Sequence, residues 1–264
     1  RGLRVTGSEL IGLIPLQAML DAGDFFLKKQ QRSLGISEAE KIKIAVKSLG
    51  LDDLKPFNPQ EKIIEYLLKD DSKKLVSLMH VNNEIGNILN IESIASLVKS
   101  NNALFHSDSV QSIGHLPWDV KEIPVDFLAA AAHKFHGPKG IGFAFIRKNS
   151  GLGCFISGGS QERGFRAGTE SFHNIVGLEM AFALAYDQLE QEKEYVLQLK
   201  KYFIDKVKEL IPNAKFNGFS GDLNKSTYTL VNVCLPIPPE KALMLLFHLD
   251  IKGIACSKGS ACQS

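Results

Sequence analysis

The feature that most restricts how this chain folds is a change of pattern near residue 72. From there on, short apolar runs alternate with segments whose apolar residues fall at helical spacing. The run Leu75–Met79 and those at 103–105, 127–130 and 141–146 are of strand length. Between the first two, Ile91, Ile94, Leu97 and Val98 line one side of a helix over 91–99. Strands alternating with helices predict a doubly wound α/β sheet, mostly parallel, with helices flanking it. Residues 172–210 read as a long helix followed by a second. A strand at 228–235, a helix at 239–248 and a strand at 253–256 suggest part of a smaller α+β domain.

Upstream the pattern is helical throughout. Leu16, Met19, Leu20, Phe26 and Leu27 form an apolar stripe over 15–31. Ser37 with Glu40 makes a capping box, since hydroxyl and carboxylate satisfy amides that a helix start leaves open. Asn58, Pro59 and Glu61 repeat the start signal, with proline at the first helical position. A polar run from Lys69 to Lys74 separates this piece from the rest. Three regions follow: a helical segment over 1–68, a large partial domain over 69–211 and a small partial domain over 212–264.

Composition narrows the function. Lys and Arg number 31 against 29 Asp and Glu, a net charge of +2, which argues against a nucleic-acid tail or a funnel for acidic substrates. No apolar run approaches the roughly 18 residues of a membrane helix, and no signal-peptide pattern opens the chain. Four cysteines are too few and too scattered for a secreted disulfide framework, so a reducing cytoplasm is expected. Cys256 and Cys262 have no partner at zinc-ligand spacing. The chain starts at Arg1 and stops at Ser264, two residues past a cysteine, and both ends read as cut.

Five loops carry chemistry. His133-Lys134 and the glycines after it lie between two apolar runs. A lysine at a strand's carboxyl end, partly buried, can lose its proton and form a Schiff base with an aldehyde. Asp108 and Gln111 follow the run at 103–105, where an acid can keep a pyridine nitrogen protonated or simply cap a turn. Asn82, Asn83 and Glu84 follow Leu75–Met79. Arg163, Arg166 and Thr169 lie among glycines, a pattern suited to an anion. Cys262 sits among small residues in Gly259-Ser260-Ala261-Cys262, exposed and mobile as a nucleophile requires. Cys234 and Cys256 read instead as buried small hydrophobes.

In this order the five loops resemble the cysteine desulfurases of the class V aminotransferase group, over residues 72 to 264. The resemblance implies a partial fold type I enzyme that uses pyridoxal 5'-phosphate. It implies that Lys134 holds the cofactor covalently, that Asp108 meets the ring nitrogen, and that Gln111 and Asn83 lie at the ring oxygen. His133 would contact the cofactor and its phosphate, and Thr169 the phosphate held by a partner subunit in a homodimer. Cys262 would take sulfur from L-cysteine as a persulfide and release alanine. The persulfide would pass to an acceptor such as an iron–sulfur scaffold protein. One position departs from the family: Ala131 stands where a phosphate-contacting serine is usual. The family's N-terminal third and the arginine that grips the substrate carboxylate are expected to lie outside this chain.

Residues 2–68 resemble something else, the C-terminal tail of a glutamate formiminotransferase, through 5–15, 48–51 and 61–66. The chain thus reads as a fusion of two partial genes. An inactive fragment and a tetrahydrofolate-linked formiminotransferase are the alternatives to a desulfurase.

Overall fold

The computed structural model describes residues 59–69, 73–154, 156–238 and 242–258. The helices expected over 15–31 and 37–49, most of the formiminotransferase-like segment and Cys262 lie outside the described residues. Two compact units emerge. One ends at His80 and resumes over Asn90–Asp187; the other joins Val81–Leu89 to the residues from Gln188 onward.

The first unit is built on a four-stranded sheet in the order β1 (Leu75–Met79), β2 (Leu104–Asp108), β3 (Phe127–Ala131), β4 (Gly142–Ile146). The first three strands run parallel and β4 runs antiparallel to β3. All four runs expected from the sequence are strands. Helix α1 (Pro59–Leu67) packs against α2 (Ile91–Ser100), the crossover between β1 and β2. Asn90 caps α2 by accepting from the amide of Ser93, and Ile91, Ile94, Ala95 and Val98 are its buried face. The return from β2 to β3 contains no long helix. Trp118, Val120, Ile123 and Val125 bury this segment, each contributing about 1.5–3 kcal/mol. The carboxylate of Asp126, itself buried, accepts the amide of Phe105 at 2.9 Å and ties the start of β3 to β2.

Residues 172–210 form two helices as expected, α3 (Phe172–Asp187) and α4 (Leu189–Leu210). Helix α3 belongs to the first unit. Its Phe182 meets Phe135 and Phe143 edge-on at 6.1 and 5.8 Å.

The second unit contains α4, a two-stranded antiparallel ribbon of β5 (Lys215–Phe216) and β6 (Val233–Cys234), and α5 (Leu245–Ile251). Two expectations fail here. The strand expected over 228–235 shrinks to Val233–Cys234. Tyr228 and Thr229 form a turn instead, Pro236 just past the run has no N–H to extend a ladder, and Ser226 and Thr227 just before it are held by α4. The buried ammonium of Lys200 donates to the Ser226 hydroxyl at 2.7 Å and the Thr227 carbonyl at 2.6 Å. The strand expected over 253–256 is absent because Gly253, at φ +75°, and Ile254 close the end of α5 by bonding to Asp250 and Leu249. Cys234 and Cys256, expected inside the core, are both exposed.

Candidate active site

Because β1, β2 and β3 are parallel, their carboxyl ends share one edge of the sheet, the edge where α/β sheets carry ligands. The register aligns Met79 with Asp108 and Asp108 with Ala129. Asp108 therefore closes β2, and the short 3-10 turn Ala132–Phe135, bearing His133 and Lys134, leaves the end of the neighbouring β3.

Asp108 is half-buried, and one carboxylate oxygen accepts the amide of Val110 at 3.1 Å. That bond is the capping role open to it from sequence. Its other oxygen accepts no hydrogen bond among the described residues. Lys134 is half-buried too, and its ammonium has neither a hydrogen bond nor an ion pair among the described residues. The side chains of Gln111 and His133 are likewise half-buried and unbonded among them. An amine, an amide, an imidazole and one oxygen of an acid, at or just past adjacent strand ends, thus have no protein hydrogen bond among the described residues. Burial, then the charges of Lys134 and Lys139, hold the His133 imidazole below its usual range. Ala131 ends β3 fully buried, with no hydroxyl to offer.

Thr169 belongs to the same unit and is exposed. Its loop folds around Arg166, which is buried. The guanidinium donates to the Gly168 carbonyl at 2.7 Å and pairs with Glu170 at 2.6 Å and Glu162 at 3.2 Å. Glu162 and Arg163 adopt left-handed backbone, φ 49° and 57°, a strain of about 1–2 kcal/mol each for non-glycine residues, offset by that clasp. Arg166, a candidate for anion contact from sequence, is thus committed to shaping the loop that presents Thr169.

Asn83 lies in the second unit, in the turn after β1, and is exposed. Its neighbour builds the turn: the Asn82 side-chain oxygen accepts the amides of Glu84 and Ile85, both at 2.9 Å. The Asn232 side chain, donating to the Glu84 carbonyl at 2.8 Å, holds the turn from outside.

Three supporting residues left no mark in the sequence pattern. Gly114 adopts φ +82°, and a Cβ there would come within 2.6 Å of the Phe135 Cβ, so only glycine lets the segment after β2 lie against the lysine turn. His115 bonds through Nε2 to the Lys134 carbonyl at 2.8 Å across 19 residues of sequence. Trp118, fully buried, donates to the Ser112 hydroxyl at 3.1 Å and meets the edge of the His80 ring at 5.0 Å. Spacing cannot reveal contacts made across a fold.

His80 itself is buried at the end of β1, and its Nδ1 has no hydrogen-bond partner among the described residues. Burial pushes its pKa down to about 4. An unfolded chain binds the proton near 6.5 and the folded one resists it. The stability held by neutral His80 is therefore complete above pH 6.5 and is lost as pH falls towards 4, by roughly 3 kcal/mol. Urea unfolding across this range is expected to show that loss, with a shallower slope in His80→Phe. Equal slopes would contradict the assignment.

Among the described residues no cluster of metal-ligating side chains occurs, and no helix is long and apolar enough to cross a membrane.

Comparison with known proteins adds to this geometry. Residues 35–264 match the family described as aminotransferase class-V, a match that begins within the segment resembling formiminotransferase. The chain is 40% identical over 202 residues to cysteine desulfurase IscS of Dictyoglomus turgidum, covering 74% of this chain and 50% of that protein. It is 39% identical over 216 residues to cysteine desulfurase IscS of Methanosarcina thermophila, covering 82% and 51%. Among solved structures, a NifS-like protein from Rickettsia africae superposes with a TM-score of 0.67 at 29% identity, covering 76% of this chain and 54% of that one. The chain thus spans about half the length of the curated relatives it matches.

Proposed function

Since the chain belongs to the aminotransferase class-V family, we propose that it carries the chemistry of a cysteine desulfurase, moving sulfur from L-cysteine to Cys262 with pyridoxal phosphate as cofactor. Its mixed sheet with flanking helices is that of the fold type I pyridoxal-phosphate enzymes, matching the NifS-like neighbours. The observation that carries the reading is the pair of unspent groups on adjacent parallel strand ends, the amine of Lys134 and the carboxylate of Asp108.

The donor set suits the cofactor. Lys134 would hold its aldehyde covalently and Asp108 its ring nitrogen. Gln111 and Asn83 would serve the ring oxygen and His133 the ring and phosphate. Thr169 would reach the phosphate of a partner subunit in a homodimer. Ala131 contributes nothing to the phosphate, and the lost hydroxyl costs about 1 kcal/mol of binding. Bound there, pyridoxal phosphate supplies an electron sink for the bonds around the substrate's α-carbon.

The chain's own residues do the rest. Asp108 keeps a proton on the ring nitrogen by its negative charge. Lys134, whenever its amine is free, would hold and move a proton at its Nζ. The thiolate of Cys262 attacks the substrate sulfur. A sulfur–sulfur bond forms, the carbon–sulfur bond breaks, and its electron pair stays with the carbon fragment, which is protonated and leaves as alanine. The persulfide on Cys262 then passes to an acceptor thiol, as on an iron–sulfur scaffold.

Cys262→Ser separates binding from sulfur transfer. The variant is expected to bind pyridoxal phosphate as well as the parent does and to release no sulfide from L-cysteine in the presence of a thiol reductant. Undiminished sulfide release would remove Cys262 from the reaction.

A further inference from the structure

The 3-10 turn carrying Lys134 has an unusual end. Carbonyls at a helical terminus lack amide partners and must find them elsewhere. The amides of His136 and Gly137 both bond back to the Ala132 carbonyl, and His136 takes a left-handed φ of 66° to allow it. The Lys134 carbonyl is one of those left over. In a 3-10 turn its donor would be the amide three residues on, but the Gly137 N–H is spent on Ala132, and the next residue, Pro138, has no N–H to offer instead. The sequence thus denies the Lys134 carbonyl its local partner.

His115 fills the gap. Its Nε2 lies 2.8 Å from the Lys134 carbonyl oxygen, and a carbonyl only accepts, so Nε2 carries the proton. The segment holding His115 is itself clamped. The Tyr186 hydroxyl, from α3, accepts the amide of Gly114 and donates to the carbonyl of Leu116, both at 3.4 Å. Gly114 presses against Phe135, the last residue of the lysine turn. The same segment runs directly from Asp108 and Gln111.

We propose that His115 is a positioning residue for Lys134: by donating Nε2–H to the carbonyl that Pro138 leaves open, it fixes the lysine turn relative to the end of β2. It acts through Lys134 and touches neither cofactor nor substrate. This rests on the reading of Lys134 as the cofactor-binding lysine, but its first test is independent of that reading.

The test compares His115→Phe, which keeps a ring but loses the donor, with His115→Gln, whose side-chain amide replaces Nε2–H. Tyr186→Phe serves as a gentler variant should His115→Phe fold poorly. In the full chain without cofactor, amide hydrogen exchange at His136 and Gly137 is expected to quicken about tenfold in His115→Phe, the scale of one hydrogen bond. Exchange should return to within about threefold of the parent in His115→Gln. Tyr186→Phe should give a smaller change of the same sign. With pyridoxal phosphate added and the imine fixed by borohydride, half-maximal labelling of Lys134 should need about tenfold more cofactor in His115→Phe, again with recovery in His115→Gln. Unchanged exchange in His115→Phe, or His115→Gln behaving no better than it, overturns the proposal. So does altered exchange without altered labelling. No labelling of Lys134 in the parent overturns the desulfurase reading instead, and exchange alone then decides the role of His115.

Discussion

Lys134→Ala is expected to yield a colourless protein that takes up no pyridoxal phosphate. The parent, incubated with the cofactor, should turn yellow, and its visible band should shift when L-cysteine is added. The physical reason is that Lys134 offers a half-buried amine with no protein partner among the described residues, in the turn that leaves β3 beside the strand end carrying Asp108. Removing a covalent anchor should weaken retention by a hundredfold or more, roughly 3 kcal/mol. Lys139 supplies the comparison. It lies five residues further on, is exposed, and sits beyond Pro138, so Lys139→Ala should keep the colour. Absorbance after gel filtration, together with peptide mapping of the borohydride-fixed adduct, measures both. A yellow Lys134→Ala protein, or a label found on Lys139 in the parent, would sink the assignment.

The second large effect concerns the scaffold. Gly142 opens β4 and pairs with Ala131 across the antiparallel ladder. A Cβ at residue 142 would fall onto the carbonyl oxygen of Ala130, well inside contact distance, and against the Ala131 backbone. Neither neighbour is a flexible side-chain tip, so the two strands must part. Gly142→Ala should therefore cost at least about 3 kcal/mol, at or beyond the usual upper end for overpacking. The damage lands where β3 hands over to His133 and Lys134. Cofactor uptake should fall along with stability. Gly140→Ala is the useful comparison. Gly140 has nothing within 4 Å of its would-be Cβ but sits at φ +79°, so it carries only backbone strain, about 1–2 kcal/mol. Chemical unfolding of both variants measures the difference, and a Gly142→Ala protein as stable as its parent would refute the steric account.

The sheet was legible from the sequence because its strands are short, largely apolar runs bounded by polar loops, although β1 itself has no buried residue. Leu75–Met79 matches its expected limits, and the other three runs differ by a few residues at their ends. Asp108 and Lys134 could be placed at strand ends for the same reason: a motif that directly follows such a run has little choice of position. The smaller region was less legible. At 228–235 the apolar run is genuine, but the turn at Tyr228–Thr229 and the hold of Lys200 on Ser226 and Thr227 redirect the backbone, and neither competes in a pattern argument. Arg166 shows another limit. Two arginines among glycines suggest an anion, yet Glu162 and Glu170 lie four residues to either side and claim one of them. His115 was invisible because its task depends on Pro138, and only the folded backbone joins the two.

The alternation of β2 has one more implication. Phe105 and Ser107 are fully buried on one face, while Leu104, His106 and Asp108 are half-buried on the other. Parity along five residues decides which side of the sheet receives the carboxylate. Inserting or deleting a single residue within β2 would leave the composition almost intact and turn the acid to the wrong side. In this stretch, drift in side-chain identity is tolerable, whereas drift in length is not.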